Sequence, residues 1–198
     1  MRSHVISRKP EVLDWSQLPV LPIDNLCWTP EIDISAQAQI CYDADALYVR
    51  LAAKEAVIRA EHTGPVGMPC EDSCLEFFFA PLADDKRYFN FEWNPLGALY
   101  LGFGAERNTR VRQIVKSKEA LFAPKTFRTK DGWGVEFAIP ASFIQLYMPE
   151  FTLSGEAACN FYKCGDKTEI QHYLAWAPLT SEKPDYHRRQ DFAKIVFE

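Results

Sequence analysis

Several features are scarce in these 198 residues. No apolar run approaches the roughly 20 residues that span a bilayer, so no membrane helix is expected. Basic charge is in deficit. Lys and Arg number 22 against 27 Asp and Glu, a formal net charge of −5, and the electrostatic drive for general nucleic-acid binding is missing. Glycines number only nine. None opens a phosphate loop, and Gly102-x-Gly104 runs on into Ala105-Glu106, which breaks the dinucleotide fingerprint. The first ten residues are basic, but no apolar stretch follows them. No secretion signal is therefore read, and the chain as written is expected in the cytoplasm.

The six cysteines, Cys27, Cys41, Cys70, Cys74, Cys159 and Cys164, are few for a disulfide framework in a chain this long. Cys70-x3-Cys74 and Cys159-x4-Cys164 approach zinc spacing, but neither is CxxC and no HxxxH follows. Six reduced thiols without metal are expected, and no cofactor. Axial haem ligands would have to come from isolated residues such as Met68, Met148, His172 and His187.

Aromatic residues are abundant, at 14%, with 13 prolines. That composition favours an all-β domain. Four prolines fall before residue 31, so residues 1–35 are expected to be extended and to wrap the body. From residue 37 onward the apolar period is two. Strands are predicted over 37–42, 47–54, 73–80, 88–94, 98–104, 125–129, 133–139, 156–164, 171–176 and 192–197. Residues 56–70 read as a long loop, 107–118 as an irregular basic stretch, and 141–147 as a helical turn. Asp131-Gly132 is a hairpin turn signal. About ten short strands without a linker or repeat suggest one domain of residues 1–198, a two-sheet antiparallel sandwich with a jelly-roll-like form.

Alternation sorts the faces. Leu75, Phe77 and Phe79, then Phe89, Phe91 and Trp93, form core sets. Leu47, Val49 and Leu51 do the same, as do Leu99, Leu101 and Phe103, and Trp133, Val135 and Phe137. The opposite face then holds Tyr48, Arg50, Glu76, Phe78, Tyr88, Asn90, Glu92, Asn94, Tyr100 and Glu136, if the strands share a sheet. Rings beside planar amides, carboxylates and a guanidinium suit sugars. The competing reading is a face covered by loops, with its acids paired to Arg50. Trp176 is the leading stacking candidate, although it shares parity with Leu174 and so also fits the core. Glu76, Glu92 and Glu136 could instead supply the two carboxyls of a glycosidase, which retaining enzymes hold about 5 Å apart. A protein-interaction sandwich is a third possibility.

Several motifs also resemble family 9 carbohydrate-binding modules and their stand-alone relatives. Asp72-Ser73-Cys74-Leu75-Glu76-Phe77-Phe78 resembles the family's D-S-x-x-E-x-F strand. Tyr88-Phe89-Asn90-Phe91-Glu92-Trp93-Asn94 with Gly97 resembles Y-x-N-F-E-x-N…G. Tyr42 to Val49 resembles Y-D-x-x-x-L-Y-V, and Gly132 to Pro140 resembles G-W-x-x-E-x-x-I-P. Asn160 to Asp166, Trp176 and Phe192 resemble the closing strands. The resemblance implies a DOMON-like sandwich that binds glucose, cellobiose or xylan-type chain ends without catalysis. It implies ligand contacts from Glu92, Asn94, Asn90, Trp176, Glu76, Arg50, Glu136 and Tyr88. Calcium braces some members, but no dense Asp/Asn loop marks a site here. Members are usually extracellular and clamp sugar between tryptophans. The loop before Asp72 has no Trp and offers only His62 and Met68.

Overall fold

A strand with one face on a core repeats its apolar residues every second position, and the segments with that period become the strands of two packed sheets. The computed structural model describes residues 2–198. Numbered along the chain, the first sheet runs β1 (Ser3–Ile6), β14 (Ala193–Phe197), β12 (Glu156–Gly165), β6 (Cys74–Ala80), β7 (Tyr88–Trp93), β8 (Leu99–Gly104) and β9 (Val111–Arg112). Beside β12 lies β13 (His172–Ala175), and beside that β3 (Asn25–Leu26). The second sheet runs β10 (Lys125–Thr129), β11 (Gly132–Pro140), β5 (Ala46–Lys54), β4 (Ser35–Tyr42) and β2 (Leu21–Ile23).

All ten expected strands form. The four additional ones are β9 and the short strands of the opening segment. That segment ties into both sheets, because β1 pairs with β14 and β2 with β4. The β1–β14 pairing is parallel, as is a single bridge between Arg8 and Tyr42, and the other strand pairs among the described residues are antiparallel.

The core lies between the sheets. Phe77 stacks on Phe161 at 4.9 Å between centroids, and Phe91 and Trp93 reach across to Phe137 at 5.9 and 5.4 Å. Two short helices, α1 (Lys118–Phe122) and α2 (Ala141–Gln145), close one end with Phe122 and Phe143. The outer face of the first sheet is not open either. Phe78, Tyr88 and Tyr162 on it are roofed by Tyr186 and Phe192 of the chain's closing segment, which makes a second apolar layer.

One buried ion pair joins the sheets. Lys163 projects inward from β12, and its Nζ lies 3.0 Å from Oε2 of Glu55, just beyond β5. Glu55 Oε1 accepts the indole N–H of Trp133 in β11 at 2.8 Å. His172 Nε2 lies 2.7 Å from the ammonium and Nδ1 2.7 Å from the Ile170 carbonyl, the pattern of a neutral ring with its proton on Nδ1. Burial first, and then the Lys163 charge, push the His172 pKa down to about 4.

Removing one partner of a buried pair strands the other charge, at a cost of about 3–5 kcal/mol. Glu55→Ala or Lys163→Ala should therefore lower the urea midpoint sharply. Glu55→Gln combined with Lys163→Met, which keeps an acceptor for Trp133, should recover part of the loss. His172 binds its proton more weakly in the folded chain than in the unfolded one. Its contribution to stability is thus present above pH about 6.5 and is lost as pH falls toward about 4. Urea titrations across that range should show a shallower acid loss in His172→Gln than in the parent.

Candidate functional site

The uncovered part of the first sheet's outer face forms the floor of a cleft of about 270 Å³. Strand register decides what lies there. Glu76 in β6 stands directly opposite Glu92 in β7, with Tyr162 and Tyr100 as their outer neighbours. Like charges in opposite positions destabilise a sheet, yet both acids are nearly buried, at 3% and 4% exposure. Local donors offset this. The Cys164 thiol donates to Glu76 Oε1 at 2.9 Å, and the Asn90 amide donates to Glu92 Oε1 at 2.7 Å. The Asn90 amide packs against Gly102, where a Cβ would come within 2.3 Å of Asn90 Oδ1.

Burial raises the Glu92 pKa to about 7, against the opposing pull of the Arg110 charge and the Asn90 amide. Burial and the neighbouring Glu92 charge push Glu76 well above the usual carboxylate range. Acids with such perturbed protonation in a cleft are functional-site candidates.

Aromatic rings stand around the acids. Trp28, Tyr100, Tyr173 and Tyr186 line the cleft. Trp28 adopts φ +51°, a left-handed conformation that disfavours a bulky side chain. It is held there by its indole N–H, which donates to the Ser181 carbonyl at 2.8 Å, and by edge contact with Tyr173 at 5.8 Å. Backbone strain of this kind concentrates at ligand sites. Arg110 and Arg112 cover the Tyr100 ring, at 5.5 and 4.4 Å from its centroid.

The profile of carbohydrate-binding family 9 matches residues 7–197. The chain belongs to this family. Among solved structures, it is similar to a Bacteroides uniformis protein assigned as carbohydrate-binding, with 26% identity, a TM-score of 0.84, and 100% and 99% of the two chains covered. It is also similar to a family 9 module from Caldicellulosiruptor kristjanssonii in complex with cellotriose, at 14% identity and a TM-score of 0.70, covering 100% and 94%. A structure from the same organism in complex with glucose is 15% identical with a TM-score of 0.69, covering 100% and 96%. No curated protein sequence matches the chain.

The family 9 chain brings together only part of the expected site set. Glu76 and Glu92 line the cleft, with Asn90 buried beneath them. Tyr88 is on the same face but lies under the roof, its hydroxyl 2.8 Å from His187 Nδ1. Arg50 and Glu136 do not join them. They are partners across β5 and β11, 3.3 Å apart on the outer face of the second sheet, with the Arg50 guanidinium over Phe127. Both have the expected outward parity, but parity cannot say which sheet a strand joins. Asn94 is a turn residue. Its Oδ1 accepts the Leu96 and Ala98 N–H groups, and its Nδ2 donates to Asp72. Asp72 in turn accepts the N–H groups of Glu61 and His62, so that motif acid anchors a loop.

Trp176 is buried between the sheets against Phe161 at 5.5 Å, which corrects its candidacy as a stacking residue. Cleft residues that sequence reasoning missed are Trp28, Arg107, Arg110, Asp166 and Tyr173. Trp28, Arg107, Arg110 and Asp166 sit in the opening wrap, in the irregular basic stretch and just beyond β12, where no periodic signal exists, while Tyr173 is on a predicted strand whose outward face was not assigned. Trp176→Ala should behave as a core truncation. We expect a loss of about 3–5 kcal/mol in chemical denaturation, with any change in ligand affinity following from unfolding alone.

Proposed function

We propose that the cleft binds the end of a glucan- or xylan-type chain and does not turn it over. The observation that carries this reading is the pairing of two buried carboxyls with the rings of Trp28, Tyr100 and Tyr173 in one small cavity. An aromatic face packs on the C–H face of a sugar ring, while carboxyl and guanidinium groups bind adjacent hydroxyls. A cavity of about 270 Å³ suits a chain end better than a long run of sugar units. Family membership supports the class of ligand, and the similar modules holding cellotriose and glucose support the choice of sugar.

Calorimetric titration with gluco- and xylo-oligosaccharides tests this. Trp28→Ala should weaken binding by about 1–3 kcal/mol, by analogy with bases stacked on aromatics. Glu92→Gln should cost about 1.5–3 kcal/mol, the range for a charged hydrogen-bond partner. Arg50→Ala, on the far sheet, should bind as the parent does. Full affinity in Trp28→Ala and Glu92→Gln together would place the ligand elsewhere. Reducing sugar released by the parent and not by Glu76→Gln would make the chain a hydrolase instead.

A further inference from the structure

A second kind of chemistry lies at the floor of the cleft and is independent of whether sugar binds there. Cys74 and Glu76 are two apart on β6 and so point to the same side. Cys164 on β12 is directly opposite Cys74. The two sulfurs and a Glu76 oxygen all lie within 4.8 Å of one another, the one such set of three possible metal ligands among the described residues. In a tetrahedral zinc site with Zn–S bonds of about 2.3 Å, ligand sulfurs are about 3.7 Å apart. The atoms therefore need to move by no more than roughly 1 Å, with Cys164 Sγ and Glu76 Oε1 opening from their 2.9 Å contact, which side-chain rotation can supply.

We infer that Cys74, Cys164 and Glu76 bind one zinc(II) ion beneath the cleft. Three observations converge on it. The ligand types match, since borderline-soft zinc takes thiolate and carboxylate together. The set is reachable, because Glu76 and Cys164 line the cleft. The fourth position faces the cleft, from which water can complete the tetrahedron. Binding expels the two thiol protons and, from protonated Glu76, a third proton to solvent, and no electron is transferred.

Protein purified in reductant and stripped with chelator should be titrated with cobalt(II), then zinc(II). We expect a thiolate-to-cobalt charge-transfer band that saturates at one ion per chain and is abolished by zinc. Zinc should also slow alkylation of Cys164, the one of the two cysteines that borders the cleft. Cys164→Ala and Glu76→Gln should each weaken zinc affinity by about tenfold or more. Glu76→Gln keeps both thiols and nearly the same shape, so it remains informative if a cysteine variant fails to fold. Cys41→Ala, on the second sheet, should change nothing.

A cobalt spectrum identical to that of the aquated ion would overturn the assignment. Glycan titration of the zinc-loaded and stripped forms keeps the two readings apart. Loss of sugar binding in both forms would sink the carbohydrate proposal and leave the metal site standing.

Discussion

Two glutamates face each other across β6 and β7, and the core holds them there. Phe77 and Phe79 must point between the sheets, as must Phe89 and Phe91. A one-residue slip of either strand would turn these rings outward and bring acids into the core. The Glu76–Glu92 juxtaposition is therefore fixed by apolar burial several ångströms away. The rest of the cleft answers to it. The Cys164 thiol, the Asn90 amide and the Arg110 charge are the groups that make two neighbouring buried acids tolerable.

The cleft exists because most of the same sheet face is covered. Tyr186 and Phe192 roof Phe78, Tyr88 and Tyr162, and Tyr186 stacks on Tyr162 at 4.0 Å. The roof stops short of Glu76 and Glu92. At its edge the opening wrap delivers Trp28 in a strained conformation, anchored by Ser181 from the closing segment. Both ends of the chain thus build the same wall. Beneath them, the Lys163–Glu55 pair and the Trp133 indole hold the two sheets in register at one end of the sandwich.

The fold survives large sequence divergence because it rests on pattern. A family 9 module only 14% identical superimposes over the whole chain. Alternating apolar residues of about the right size preserve two packed sheets. A site has no such tolerance, because it depends on which individual side chains converge. The family's motifs mark both roles without separating them. In Asp72-Ser73-x-x-Glu76, the first acid is spent on backbone N–H groups of a loop, while the last stands in the cleft.

The sequence by itself determined the ten main strands, the inward and outward parity of five of them, and the class of fold, because a period of two is a local property of a chain packed on one face. It also exposed Glu76, Glu92 and Asn90 as outward polar residues on aromatic strands. Tertiary structure alone decided which outward faces belong together. Arg50 and Glu136 have the right parity but sit on the other sheet, since sheet membership depends on pairing between distant strands. It decided that Trp176 is core and Trp28 is rim, because neither lies in a run long enough to fix its environment. It also brought Cys74 and Cys164, 90 residues apart in the chain, into one cross-strand pair. No spacing rule for metal ligands reaches that far, because the contact is made by strand register and not by the local chain.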